Sequence, residues 1–162
     1  MTTPPPEPAK IVVARTPEQF AVARQLFLAY ADWLGVDLSY QNFAKELGSL
    51  PQMYGGSEGR LLLSLVDNTP AGCVGVRKIN PSTCEMKRLY VQDKFRGKGI
   101  GLALAERIIQ TGKELGYTTM VLDTLEKMKS AQKLYYSLGF VEIPAYYANP
   151  LPDVIYLKLD MR

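Results

Sequence analysis

Residues 90–109 read "YVQDKFRGKGIGLALAERII" and join a glycine-rich turn to a helical pattern. Three glycines stand immediately before the helix: Gly97, Gly99 and Gly101. Glycine is a poor helix former, but it lacks a Cβ and lets backbone N–H groups approach a ligand closely. A helix N-terminus adds unpaired N–H donors and about half a positive charge. The segment therefore predicts a site for phosphate groups, and Lys94, Arg96 and Lys98 add positive charge around it.

Two common phosphate-binding patterns do not match this segment. A P-loop needs Ser or Thr after the Gly-Lys pair, and here Gly99 follows Lys98. The dinucleotide fingerprint G-x-G-x-x-G needs a glycine where Leu102 or Leu104 stands. A turn without a ligand is the remaining alternative. Three glycines and three cations within a few residues favour a diphosphate site over that alternative.

Composition limits the classes of protein and partner. The chain has 162 residues, of which 47% are hydrophobic and 22% are charged, and its net charge is +3. This predicts one domain over residues 10–162, preceded by a mobile Pro-rich tail over residues 1–9. No dense Lys/Arg block suggests nucleic acid, and no apolar run approaches the roughly 20 residues of a membrane span. An anionic small molecule fits the charge at least as well as DNA or RNA.

Histidine is absent, and only two cysteines occur. Without histidine, a Ser-His or Cys-His nucleophile has no base, and a histidine-rich zinc site cannot form. The sequence therefore predicts no metal site. Cys73 and Cys84 are predicted to be reduced thiols in the core. No signal peptide pattern is visible at the N-terminus, which predicts a cytoplasmic location.

The pattern of elements predicts an α/β fold in the order β-α-α-β-β-β-α-β-α-β-β. Thr16 and Gln19 form a capping box before a helix over 17–34, and Ser39 is expected to cap a second helix. The strand over 84–92 and the strand over 117–124 should pair in parallel across the glycine-initiated helix. We predict a mixed, strongly twisted sheet of six or seven strands with helices on both faces. Lys87 and Arg88 are unusual in a central strand, and the sequence gives them no role.

Three segments resemble the GNAT N-acetyltransferase family. "RGKGIG" (96–101) is similar to the R/Q-x-x-G-x-G/A signature, "CEMKRLYV" (84–91) to the strand before it, and "LYYSLGF" (134–140) to a later L-Y-x-x-x-G-F segment. Their order and spacing agree over most of residues 10–160. The resemblance implies a single GNAT-like domain and an enzyme that uses acetyl-CoA as the acetyl donor, with CoA as product.

The resemblance also implies which residues bind acetyl-CoA. Backbone groups of the glycine turn would hold the diphosphate, the diverging strand would pair with the pantetheine arm, and Tyr135 would lie near the sulfur. These residues are Leu89, Tyr90, Val91, Arg96, Gly97, Lys98, Gly99, Ile100, Gly101 and Tyr135. Met128 stands where many relatives carry asparagine, so one polar contact is expected to be missing.

Two residues resemble catalytic groups of the family. Tyr135 would donate a proton to the departing thiolate, and the alternative is that it only packs or orients the thioester. Glu85 would act as the base for the acceptor, directly or through water. Its apolar neighbours Cys84 and Met86 suggest burial, which would raise its pKa toward a useful value. The alternative for Glu85 is a substrate-binding or surface carboxylate.

The expected acceptor is a primary amine that attacks the thioester directly in a ternary complex. Cation–π and ionic contacts from the first helices and the last loop would hold it. The candidates are Tyr30, Asp37, Glu85, Tyr146, Tyr147 and Asn149. For Tyr30 and Trp33 the alternative is a place in the core. A small-molecule amine is the first expectation; a protein amine and a homodimer stay open. A non-catalytic acyl-CoA-binding or sensor module is the alternative function.

Overall fold

The computed structural model describes residues 9–162, apart from the side chain of Tyr40. Residues 1–8 of the predicted tail therefore lie outside the described residues. Seven strands form one mixed sheet, as predicted. They are β1 (Lys10–Val13), β2 (Arg60–Val66), β3 (Thr69–Lys78), β4 (Thr83–Val91), β5 (Thr119–Leu125), β6 (Val141–Ile143) and β7 (Val154–Asp160). Their order across the sheet is β1-β2-β3-β4-β5-β7-β6, and only β4 and β5 pair in parallel.

The first helix, α1 (Pro17–Leu34), begins and ends as its sequence predicts. The Thr16 hydroxyl accepts a hydrogen bond from the Gln19 N–H at 3.1 Å, and the Gln19 side chain accepts one from the Thr16 N–H at 3.0 Å. Gly35 ends the helix with φ of 72°, a conformation that favours glycine. Local capping chemistry therefore sets both ends of α1.

The prediction of one continuous second helix is wrong. The chain instead forms a 3₁₀ turn at Ser39–Gln41 and two short helices, α2 (Phe43–Leu47) and α3 (Leu50–Tyr54). Asn42 takes a left-handed φ of 57° and separates the first two pieces. Pro51 lies in the first turn of α3, where proline is tolerated. In the interior of one helix continuing from α2, it would remove a backbone hydrogen bond and clash with the preceding turn.

The sheet separates two apolar cores. On one face, α4 (Ile100–Glu114) and α5 (Lys129–Ser137) pack over a core that contains Leu104, Ile108 and Met120. On the other face, α1 and α3 pack over a core that contains Phe27 and Tyr54. This arrangement confirms the predicted sheet with helices on both faces. Both cysteines are free thiols and buried, as predicted. Within residues 9–162, no helix combines the length and apolar character needed to cross a bilayer.

Strands β4 and β5 pair over three residue pairs and then diverge. The last pair is Glu85 with Val121. Just beyond it, β4 carries a bulge, because the register with β3 shifts by one residue between Lys87 and Tyr90. Arg88 lies inside this bulge with φ of 60°, which is uncommon for a residue with a side chain. A bulge bends its strand, so β4 leaves the sheet plane at the point where its pairing with β5 ends.

A buried ion pair holds the bulge in place. The Arg88 guanidinium donates two hydrogen bonds to the carboxylate of Glu46 on α2, from Nε to Oε2 at 3.1 Å and from Nη2 to Oε1 at 2.9 Å. Both side chains are 3% exposed. The Tyr54 hydroxyl donates a further bond to Glu46 Oε2 at 3.3 Å. Because the geometry is bidentate, it fixes the direction of Arg88 as well as neutralising it.

Loss of Glu46 should destabilise the fold strongly. Glu46→Gln leaves the Arg88 charge buried without a counter-charge, and we expect a loss of about 3 kcal/mol in the free energy of unfolding. The matched control is Glu106→Gln on the exposed face of α4, which should change stability by less than about 0.5 kcal/mol. Urea unfolding of both variants measures the difference. Equal stabilities would show that the ion pair does not hold the bulge.

Candidate active site

Two cavities open where β4 and β5 diverge. The first, which we call the groove, runs from Trp33 past Val91 to the start of α4. The second, which we call the inner cavity, lies between the loop after α1 and the carboxyl ends of the two strands. Four residues belong to the walls of both: Leu89, Met128, Ala131 and Tyr135. The two cavities are therefore adjacent and meet at these side chains.

The glycine turn forms one end of the groove. Gly97 and Gly99 take φ of 77° and 79°, and a Cβ at either position would meet no atom within 4 Å. Gly99 is the N-cap of α4, and its helix has no side-chain capping bond. The first-turn N–H groups of α4 thus keep their capacity to bind an anion, and side chains do not cover the approach.

Arg96 links the glycine turn to α1. Its guanidinium lies 4.4 Å from the centre of the Trp33 ring and pairs with Asp93 at 2.9 Å. Its Nε donates a hydrogen bond to the Val91 carbonyl at 2.9 Å. Trp33 is 41% exposed and lines the groove but not the inner cavity, so the alternative that placed it in the core is wrong. An arginine stacked on an aromatic face is held in place while retaining its charge.

The other predicted cofactor residues divide between the groove wall and the surface. Leu89, Tyr90, Val91, Ile100 and Gly101 line the groove with Gly97 and Gly99. Within the described chain, β4 has no strand partner on its β5 side beyond Glu85, so that backbone edge faces the cavities. Lys98 is exposed, and its ammonium lies 5.9 Å from the centre of the Phe95 ring.

Tyr135 lies where the two cavities meet. It is 7% exposed, and its ring packs edge-on against Phe140 with the ring centres 5.8 Å apart. Burial raises the pKa of the Tyr135 hydroxyl well above its ordinary value, and the nearby Tyr30 and Asp123 raise it further. The phenol therefore stays protonated at neutral pH and carries a proton that it can donate.

Glu85 does not have the environment that the sequence suggested. It is 2% exposed, but Arg77 Nε lies 2.8 Å from its Oε1, Lys87 Nζ lies 3.8 Å from the same oxygen, and the Tyr146 hydroxyl donates to Oε2. Burial raises the pKa of Glu85, while Lys87, Arg77 and the Tyr146 hydrogen bond lower it by more in sum. The net pKa is below the usual value, so the expected rise is wrong. The two cations and the hydroxyl hold Glu85 ionised.

The predicted acceptor residues are only partly brought together. Tyr30 lines the inner cavity. Tyr146 lines neither cavity and donates its hydroxyl to Glu85, which lies outside both as well. Tyr147 donates a hydrogen bond to Asp123 Oδ2 at 2.6 Å, and Asn149 Nδ2 donates to the Tyr147 hydroxyl at 3.0 Å. Asp37 lies apart: its side chain is exposed and accepts the Ser39 N–H at 2.8 Å. Asp37 stabilises a backbone turn through this hydrogen bond, so its presence at this position is explained without a role in ligand binding.

Three charged residues of the inner cavity were not predicted as site residues: Arg88, whose ion pair with Glu46 is described above, Lys87 and Asp123. Asp123 follows the buried run of β5, and Lys87 lies on β4 just before the bulge; both line the cavity. The sequence signal for Asp123 is an acidic residue at the carboxyl end of a buried strand. The signal for Lys87 is a cation inside a central strand, where charged residues are rare. Among residues 9–162, no cluster of three or more His, Cys, Asp or Glu side chains is suited to a metal ion.

Comparison with known proteins identifies the class of enzyme that has this fold and these cavities. Residues 23–140 match the Acetyltransferase (GNAT) family. An uncharacterised N-acetyltransferase of Schizosaccharomyces pombe is 39% identical over 158 residues, which cover 96% of this chain and 97% of the relative. The chain belongs to the GNAT family of acetyltransferases. It is an N-acetyltransferase by this relationship.

Other relatives extend the comparison to function and structure. N-acetylaspartate synthetase of Homo sapiens is 30% identical over 150 residues, which cover 83% of this chain and 50% of that enzyme. A GNAT acetyltransferase of Staphylococcus aureus has a TM-score of 0.79 at 21% identity, covering 96% of this chain and 100% of the other. A GNAT acetyltransferase of Elizabethkingia anophelis, solved with acetyl-CoA bound, has a TM-score of 0.65 at 22% identity, covering 94% and 97%. These two structures confirm the predicted fold.

The ionic partners of Glu85 should make its contribution to stability depend on pH. Its folded-state pKa is lowered, so its ionised form stabilises the fold above the unfolded-state pKa of about 4.3. This contribution is lost as the pH falls through the lower folded-state pKa. We expect the stability difference between the wild type and Glu85→Gln to be constant from pH 8 to 6 and to shrink below about pH 4.3. Urea unfolding across this range measures it, and Glu106→Gln serves as the exposed control. A difference that grows on acidification would contradict the assignment.

Proposed function

We propose that this chain transfers the acetyl group of acetyl-CoA to a small primary amine by direct attack in a ternary complex. The observation that supports this most is the junction of the groove and the inner cavity at Leu89 and Tyr135. Two substrates that bind on either side of the junction would have their reacting atoms adjacent. Such positioning replaces an encounter in solution and lowers the entropic part of the barrier.

The groove has the chemistry that acetyl-CoA requires. Its glycine end presents backbone N–H groups of the first turn of α4 to a diphosphate, and Arg96 adds a fixed positive charge beside it. The open edge of β4 near Leu89 and Val91 offers backbone groups to the amides of the pantetheine arm. The apolar side chains of Val91, Ile100 and Leu134 form walls that suit its methylene groups. The structural neighbour from Elizabethkingia anophelis, which was solved with acetyl-CoA bound, supports acetyl-CoA as the donor.

The proposed reaction needs two proton movements. The acceptor arrives as an ammonium ion and loses two protons on becoming an amide N–H. One of these protons passes to solvent. As the C–N bond forms and the C–S bond breaks, Tyr135 gives its proton to the thiolate. The second proton of the acceptor then replaces the proton that Tyr135 has lost. Tyr135 holds its proton at neutral pH and lies at the junction, so it can act as this acid. Backbone N–H groups at Leu89–Val91 would bind the carbonyl oxygen as it gains charge.

We propose that Glu85 supports the site and does not serve as its base. Its carboxylate neutralises Arg77, lies near Lys87 and accepts the Tyr146 hydroxyl, and its lowered pKa makes it a weak proton acceptor. A small amine suits the inner cavity because its walls combine polar and charged groups, such as Gln41 and Asp123, with apolar side chains. The product named by the relative N-acetylaspartate synthetase is a small molecule as well. The cytoplasmic location and the homodimer stay predictions.

Removal of the Tyr135 hydroxyl should slow turnover without preventing donor binding. For Tyr135→Phe we expect kcat to fall about 100-fold or more, because the thiolate loses its proton donor, while the Kd for acetyl-CoA stays within about twofold. The control is Tyr136→Phe, since Tyr136 is the adjacent ring and is 45% exposed. Thiol release from acetyl-CoA in the presence of a panel of amines measures turnover, and calorimetry measures the Kd.

Two results would count against the assignment. An unchanged rate in Tyr135→Phe would remove Tyr135 as the acid. Binding of acetyl-CoA by the wild type without thiol release above the no-acceptor blank, across all classes of amine, would overturn the small-amine reaction. It would favour the acyl-CoA-binding module as the function.

A methyl group added to the glycine turn should weaken acetyl-CoA binding. Gly99→Ala forces a side chain into the left-handed region, at a cost of about 1 kcal/mol of stability, and adds a methyl group at a residue that lines the groove. Gly116→Ala is the matched control at the other end of α4: its φ is 99°, and a Cβ there also meets no atom within 4 Å. We expect both variants to lose similar amounts of stability. Only Gly99→Ala should raise the Kd for acetyl-CoA, by at least 10-fold. Equal Kd values would place the diphosphate elsewhere.

A further inference from the structure

Lys87 and Asp123 occupy matching positions on the two diverging strands. The last parallel pair is Glu85 with Val121, and Lys87 and Asp123 each follow two residues later. Side chains two residues apart on a strand point to the same face of the sheet. Had the pairing continued, Lys87 and Asp123 would be neighbours on one face and would form an ion pair. The divergence of β4 and β5 separates them instead, and both side chains line the inner cavity.

The partners of Asp123 are neutral. The Tyr147 hydroxyl donates to its Oδ2 at 2.6 Å, and Gln41 Nε2 lies 3.4 Å from the same oxygen. In the part of the chain that the structure describes, Asp123 has no cation within ion-pair distance. The carboxylate is thus fixed in direction by hydrogen bonds and is not paired with a cation among these residues. A carboxylate of this kind is suited to an ammonium group of a ligand.

Lys87 is a buried cation with an incomplete counter-charge. Its side chain is 5% exposed, and its ammonium lies 3.8 Å from Glu85 Oε1, the oxygen that Arg77 already contacts at 2.8 Å. Two cations therefore share one carboxylate, whereas the neighbouring Arg88 is fully matched by Glu46. Burial and the nearby Arg88 lower the pKa of Lys87. An anion in the inner cavity would balance the excess charge at Lys87.

We propose that the acceptor is an amino acid or a similar zwitterion, whose ammonium group binds Asp123 and whose carboxylate binds Lys87. This inference rests on the proposed acetyltransferase function and adds the class of acceptor. The two opposite charges on one face of the separated strands match the two charges of a zwitterion. Leu34, Val36 and Leu122 also line the cavity and would contact an apolar side chain.

The position of Asp123 also suits the chemistry. Its charge contributes to the raised pKa of Tyr135, so the two groups interact across the junction. An ammonium group at Asp123 would therefore lie near the proton donor and the thioester. Lys87 on the opposite strand would repel a second ammonium group, so diamines and polyamines should be poor acceptors.

The test compares amines that differ only by a carboxylate. We would measure thiol release from acetyl-CoA with L-leucine against 3-methylbutylamine and with L-phenylalanine against 2-phenylethylamine, and include putrescine as a diamine. A carboxylate bound by a buried ammonium is expected to raise kcat/KM by about 10-fold or more within each pair. Because this comparison uses the wild-type protein, its outcome does not depend on how a variant folds.

Variants then assign the two charges. Lys87→Met should reduce the ratio of kcat/KM within each pair to about one, mainly through a higher KM for the amino acid, and Lys87→Arg should restore part of it. Lys78→Met is the control, since Lys78 pairs with Glu58 on the surface and lies outside both cavities. Asp123→Asn should lower kcat/KM by 10-fold or more for both members of a pair, because both carry the ammonium group.

The outcomes separate this inference from the proposed function. The amines without a carboxylate are 3-methylbutylamine, 2-phenylethylamine and putrescine. If they release thiol as fast as the amino acids do, the proposal of a zwitterionic acceptor is overturned, but the proposed acetyltransferase function is not. A Lys87→Met variant that keeps the preference for amino acids would also overturn the proposal of a zwitterionic acceptor. If none of the amines released thiol, the small-amine reaction itself would be overturned, and the acceptor class with it.

Discussion

The divergence of β4 from β5 beyond the Glu85–Val121 pair is the constraint on which the candidate active site depends. A continuous parallel pairing would close both cavities and satisfy the backbone groups that now face them. The bulge at Arg88 bends β4 away, and the buried Glu46–Arg88 pair ties that bulge to α2. Burying two charges is costly unless they are matched in geometry, and the bidentate contact supplies the match. The fold thus uses a short helix, which carries little core of its own, to keep the central sheet open.

Charged residues lie in the middle of the sheet, both at the last paired position of β4 and β5 and just beyond it. Arg77, Glu85, Lys87 and Asp123 all belong to the central strands, where an ordinary sheet would carry apolar side chains. Three of them form a cluster in which two cations share Glu85, and Asp123 has hydrogen bonds to neutral groups only. Groups held this way need little reorganisation when a charged ligand binds. The arrangement offers a negative and a positive region within one small cavity.

The fold was largely predictable because its signals are local. The capping box at Thr16, the glycines before α4 and the strand patterns each depend on a few adjacent residues, and the structure agrees with them. The interrupted second helix was missed because Asn42 adopts a left-handed conformation that its sequence neighbours do not require.

The electrostatics of Glu85 were missed for a different reason. Its apolar neighbours suggested burial, which is correct, but the contact with Arg77 depends on the register of β3 and β4, and Tyr146 comes from a distant part of the chain. Likewise, the relation between Lys87 and Asp123 is visible only once the register of β4 and β5 is known.

Tyr135 lies where two different environments meet, and this placement relates its pKa to its proposed role. On the groove side, its neighbours Leu134 and Ala131 are apolar, so a thiolate formed there would be poorly solvated and would bind a proton readily. On the inner side, Asp123 and Tyr30 disfavour a negative charge on the phenol until a positive charge enters the cavity. An ammonium group at Asp123 would offset that effect and lower the pKa of Tyr135 toward its ordinary value. The acid would therefore become stronger when the acceptor is bound, which couples proton donation to the presence of both substrates.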